Sequence, residues 1–132
     1  MTQFPNTEWF QHFSGFLEND DEFKTHGRWF TSVLGLRVDQ TSHHLLIDRG
    51  MVLEVLPGIG DSEILISGSQ NQWQVLFNTD WALNRLYRSG TLQIRANEIE
   101  LMRNWKVLFH ICQAMKKIGP GITDKKTRKG GL

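Results

Sequence analysis

Leu86-Tyr87-Arg88-Ser89-Gly90-Thr91-Leu92-Gln93-Ile94-Arg95-Ala96-Asn97 runs directly into Glu98–Lys117, and this stretch decides the fold. Ser89-Gly90 stops a short helical segment. Thr91–Arg95 then alternates, with Leu92 and Ile94 on one face, which predicts a strand. Asn97 is a good N-cap for a long helix over Glu98–Lys117. Its apolar residues Leu101, Met102, Trp105, Leu108, Phe109, Cys112 and Met115 recur at spacings of three and four. Glu98 and Glu100 in the first turn and Lys116 and Lys117 in the last suit the helix dipole. Gly119-Pro120-Gly121 ends the helix.

Working upstream, Asp80 is a candidate N-cap for the short helix with Leu83, Leu86 and Tyr87. Ser69 or Gln70 starts another, carrying Trp73, Leu76 and Phe77. Before these the period is two. Leu34, Leu36 and Val38 alternate with Gly35, Arg37 and Asp39. His43–Asp48, Met51–Leu56 and Glu63–Ser67 read as further strands, and Asp48-Arg49-Gly50 as a tight turn with Gly50 at positive φ. Consecutive short strands predict an antiparallel meander. Asn6–Asn19 reads as a helix with Trp9, Phe10, Phe13, Phe16 and Leu17 on one face, ended by the acidic cluster Glu18–Glu22. Phe23–Ser32 reads as either a short helix or a connector with Trp29 and Phe30 packed inward. The order predicts an α+β fold: a mainly antiparallel open sheet of about five strands with helices covering one face.

The chain has 132 residues, enough for a single domain with its own core. No apolar run approaches the ~18 residues of a membrane span. The N-terminus, Met1-Thr2-Gln3-Phe4-Pro5, lacks a basic region and an apolar signal core, so a cytoplasmic protein is expected. Cys112 has no second cysteine to pair with. The net charge of +1 is uneven. Lys116, Lys117, Lys125, Lys126, Arg128 and Lys129 against Asp124 make the C-terminal stretch +5, leaving −4 elsewhere. Residues 1–118 are expected to form the domain and 119–132 a basic, flexible tail. That tail offers at most a peripheral contact with an anionic membrane, and no nucleic-acid partner is expected.

Motifs for chemistry are sparse. His43 and His44 point to opposite faces of a strand and cannot share a metal, and His12, His26 and His110 are scattered. No nucleophile elbow, phosphate loop or dinucleotide fingerprint occurs, so no catalytic residue, cofactor or metal is assigned. Asp20-Asp21 reads as an exposed connector. Cys112 lies on the apolar stripe, where its thiol is expected to be buried and inert. Five Trp and eight Phe are the informative feature. Rings and flexible Met side chains at helical spacing suit either an ordinary core or the wall of an apolar cavity.

Asp61-Ser62-Glu63-Ile64-Leu65-Ile66-Ser67-Gly68-Ser69, then Trp73, then Leu86 to Asn97 resembles the sterol-carrier-protein family. Members show a strand of the form D-x-x-I-x-G-S, a helix with an aromatic residue, then G-x-L-x-I-x-G-[DN] leading into the last helix. Ala96 replaces the final Gly of that pattern here. The resemblance covers about residues 40–117. It implies a sheet and helices around an apolar tunnel, and an apolar ligand: sterol or steroid, fatty acid or fatty acyl-CoA. It also implies presentation of that ligand to a lipid-metabolising enzyme, with no catalysis by the domain itself. With it, Trp73, Phe77 and Trp81 are expected to form one wall and Met102, Trp105 and Phe109 the other. Two other classes fit the same elements: a small cone-shaped α+β isomerase or dehydratase, and a protein-interaction module. The first class usually ends in long strands, whereas this chain is predicted to end in a long helix.

Overall fold

The computed structural model describes residues 2–122. Most of the tail expected over 119–132 lies outside that range. Strands β1 (Thr2–Gln3) and β7 (Gly121–Ile122) form an antiparallel ribbon that ties the two ends together. Helices α1 (Thr7–Glu18) and α2 (Asp21–Gly27) lead into the main sheet. Its first strands are β2 (Ser32–Val38), β3 (Thr41–Asp48), β4 (Met51–Pro57) and β5 (Ile64–Gly68). Helices α3 (Gln70–Asn78) and α4 (Leu83–Arg88), strand β6 (Gln93–Ala96) and helix α5 (Glu98–Ile118) complete the chain.

The sheet order is β4-β3-β2-β5-β6. It corrects the expected meander at one point: β5 does not lie beside β4 but pairs in parallel with β2. The connection over residues 58–63 crosses the face of β3 and β2 that the helices leave open. It lies on the cross-strand pair Gly35 and His44. The His44 Nδ1–H donates to the Gly58 carbonyl at 2.8 Å, and the Ser62 hydroxyl sits over Gly35 and donates to the Ile59 carbonyl. Gly35 has to be bare, because a Cβ there would fall on the Ser62 Oγ.

The opposite face carries the core. Leu34, Leu36, Leu45, Ile47, Ile64 and Ile66 are buried there, as the period of two requires. Helix α5 packs over them with Leu108, Ile111, Cys112 and Met115 fully buried. Phe4, Trp9, Phe10 and Trp73 fill one end, with ring centroids 4.9–5.7 Å from that of Phe4. Both buried indoles keep a partner, Trp9 Nε1 on Gly119 O and Trp73 Nε1 on Arg37 O, each at 2.9 Å.

Other expectations need correction. The acidic cluster does not merely end α1. Asp20 caps α2, accepting from the Glu22 and Phe23 amides, and Asp21 and Glu22 suit that helix's N-terminal dipole. Asp20 is therefore buried rather than on an exposed connector, with Lys117 Nζ 3.6 Å away. Phe30 packs inward, but Trp29 is 74% exposed. Asp80 caps nothing: α4 starts after Ala82, which makes no side-chain cap. The last strand of the main sheet is Gln93–Ala96 rather than Thr91–Arg95, with Leu92 buried just before it.

Candidate functional site

Helix α4 is short and amphipathic. Leu83 and Leu86 are buried, while Asn84, Tyr87 and Arg88 are on its exposed side. The first half of α5 lies beside it and presents Leu101, Met102 and Trp105. These six residues line an open groove of about 410 Å³. Its volume is that of a small-ligand site, where ~300–1,000 Å³ is usual. The Trp105 ring lies 5.5 Å from Tyr87 at 60°, and its Nε1–H donates to Asn84 Oδ1 at 3.1 Å. That bond satisfies the one polar atom of the indole and holds its apolar surface against the groove. Met102, 79% exposed, lines the groove and lies outside the core.

The six residues expected to face a ligand do not come together. Met102 and Trp105 share the groove. Trp73 is fully buried in the core, and Phe77 is half-buried with its ring 5.1 Å from Phe4 in the aromatic cluster. Trp81 is half-buried under the Arg85 guanidinium, 3.8 Å from the ring centroid. Phe109 is half-buried one turn beyond Trp105, with its ring edge-on to His110 at 5.1 Å. The groove is walled by two helices and by no strand. Asn84, Tyr87, Arg88 and Leu101 were missed as lining residues. The spacing of 84, 87 and 88 on the outer side of α4 was the available signal.

Several titratable groups elsewhere are tied into packing. His43 is buried under Phe10, its Nε2 2.9 Å from the Thr7 hydroxyl, and burial first and then His44 lower its pKa. His110 stacks on His26 at 4.3 Å, with its Nδ1 3.5 Å from Glu22. Burial and then the His26 ring lower its pKa. Burial pushes the Cys112 thiol up to about 12, so it is inert as expected. Lys116 donates to the Leu76 and Thr79 carbonyls at 2.7 and 2.6 Å, capping the end of α3. Among the described residues, no three His, Cys, Asp or Glu are gathered to hold a metal ion. No helix there is long and apolar enough to cross a membrane.

No family model and no curated protein matches the sequence. Solved structures do match. A crystal structure of sterol carrier protein 2 superposes with a TM-score of 0.73 at 12% identity, over 88% of this chain and 96% of that one. A conserved hypothetical protein of Thermus thermophilus, described as possibly a sterol carrier protein, gives 0.73 at 13%, over 89% and 91%. The UbiJ-SCP2 ubiquinone synthesis protein gives 0.57 at 22%, over 86% and 97%. The order of strands and helices read from residues 61–117 is thus embedded in a known architecture. The chain has the sterol-carrier-protein fold.

Proposed function

We propose that this chain binds and carries an apolar small molecule, a sterol, a fatty acid or a fatty acyl-CoA, in the groove between α4 and α5. The observation that carries the reading is Met102. A methionine 79% exposed in the lining of an apolar groove contributes nothing to the folded core, yet it offers adaptable surface to a ligand. The shared fold supports it, since proteins with this fold are described as sterol carriers and one as a ubiquinone synthesis protein. On this reading the chain presents its ligand to a lipid-metabolising enzyme.

Covering ~300 Å² of apolar surface at ~25 cal/mol per Å² gives about 7.5 kcal/mol before association costs, below the ~8.2 kcal/mol net that micromolar affinity needs, so weaker binding is expected. Tryptophan fluorescence titrated with a fatty acid, a sterol, an acyl-CoA and a ubiquinone tests this. Met102→Ser and Trp105→Ala should each weaken the best ligand about tenfold, the loss of one buried side chain. Met51→Ser, outside the groove, should not. Wild-type affinity in both groove variants, with circular dichroism unchanged, would move the site elsewhere. No response to any of the four ligands would end the carrier reading.

A further inference from the structure

We propose that the α2–β2 linker and the β3–β4 turn form a docking surface for an anionic phospholipid bilayer. The proposal does not depend on the groove. A second cavity, about 470 Å³, opens between these segments, with Glu18, Lys24, Arg28, Arg49 and Met51 in its lining. It is built rather than incidental. The Gly50 amide donates to the Phe30 carbonyl at 3.0 Å, and the Arg49 amide to the Thr31 hydroxyl at 3.0 Å. The same hydroxyl donates to Asp48 at 3.2 Å. Gly50, at φ 78°, lies so close to the linker that a Cβ would come 2.7 Å from the Gly27 carbonyl oxygen. Linker and turn therefore present their side chains as one unit.

Two kinds of side chain meet there. Trp29 is 74% exposed and Met51 56%, although Phe30 beside Trp29 is buried. They are two of the six large exposed hydrophobic residues among those described. Three cations stand among them. The Arg28 guanidinium lies 5.1 Å from the centroid of the Trp29 ring. Arg49 is offset by Asp48 at 3.6 Å, and Glu18 shares the cavity. Among the described residues, Lys24 and Arg28 have no carboxylate within ion-pair distance.

This combination fits a bilayer better than a protein face. The apolar side chains project singly, Trp29 from the linker and Met51 from the end of the turn. Tryptophan with arginine suits the membrane interface, where the ring enters the headgroup layer and the cation meets phosphate. The cavity gives a lipid phosphate room between Lys24, Arg28 and Arg49.

Co-sedimentation of the full chain with phosphatidylcholine vesicles, with and without phosphatidylserine, tests this. Binding should require phosphatidylserine and weaken as salt rises. Lys24→Gln/Arg28→Gln should lower affinity about twenty-five-fold, at about fivefold per charge. Trp29→Ala/Met51→Ser should lower it on the same vesicles, with circular dichroism unchanged in both variants. Equal binding to neutral vesicles would overturn the proposal. So would unchanged binding by both variants, which would place the contact elsewhere, for example on Lys125–Lys129. Binding of inorganic phosphate without vesicle binding would make the cavity a free-anion site. Absence of both would leave the patch to a protein partner.

Discussion

Gly35 carries more of this fold than any side chain on its strand. It lies opposite His44 in the sheet, and the connection that allows β5 to pair with β2 rests on both. An alanine Cβ there would also lie 3.0 Å from Leu65 Cδ1. Gly35→Ala should cost about 1–3 kcal/mol, the usual price of overpacking a filled site. Ser62→Gly in the same chain should recover part of that loss, because it removes the atoms the new methyl meets. Urea unfolding of the two single variants and the double variant checks the coupling. Additive losses would show that the clash is not the cause. Met102 and Met115 make a second point at this scale. Both belong to the apolar pattern of α5, yet one is 79% exposed and the other fully buried. At about 100° per residue they lie about 140° apart around the helix, so one stripe could not hold both against the core.

At the scale of elements, caps separate the segments that were placed well from those that were not. Ser69 accepts from the Gln72 amide at 3.1 Å while the Gln72 side chain accepts from the Ser69 amide at 2.7 Å, a complete capping box. Ser69→Ala should destabilise the protein by about 1 kcal/mol, and Ser69→Asp by much less. Thermal and urea midpoints of the two variants check this, and equal losses would count against the cap. Asn97 caps α5 by its side chain alone, accepting from the Ile99 and Glu100 amides at 2.9 and 3.4 Å. Asp80 had the right residue type but the wrong neighbourhood: it precedes Ala82 by two residues, and the chain turns into α4 only after Ala82. Asp20 was read as part of a stop because its role depends on α2, a seven-residue helix too short to show a clear period.

For the molecule as a whole, two of the three buried histidines predict a dependence of stability on pH. His43 and His110 both have pKa values lowered from the ordinary 6.5, chiefly by burial. The unfolded chain therefore binds protons that the folded one refuses. Stability from this source is fully present above pH 6.5 and is lost as pH falls through the folded values. Urea midpoints at about pH 7.5 and about pH 5.5 should show lower stability at the acid value. His43→Gln should flatten that slope. An unchanged slope would remove His43 from the explanation.

Local chemistry was enough for most of the elements. Alternation of Leu34, Leu36 and Val38, the caps at Asn6, Ser69 and Asn97, and the turn at Arg49-Gly50 all act within a few residues, and all are present in the structure. The likeness in residues 61–97 pointed to the right architecture for the same reason: its motifs are strand ends and helix starts. Three things depended on contacts distant in sequence. The parallel place of β5 is set by packing of 58–63 on Gly35 and His44, the first of them more than twenty residues earlier. The ribbon of β1 and β7 joins the two ends of the described chain. The groove depends on which face of α5 the sheet had already covered: periodicity places Trp73, Phe77, Trp105 and Phe109 on apolar stripes alike. Only the packed sheet and helices bury Trp73 completely and leave Trp105 beside Met102 at the surface.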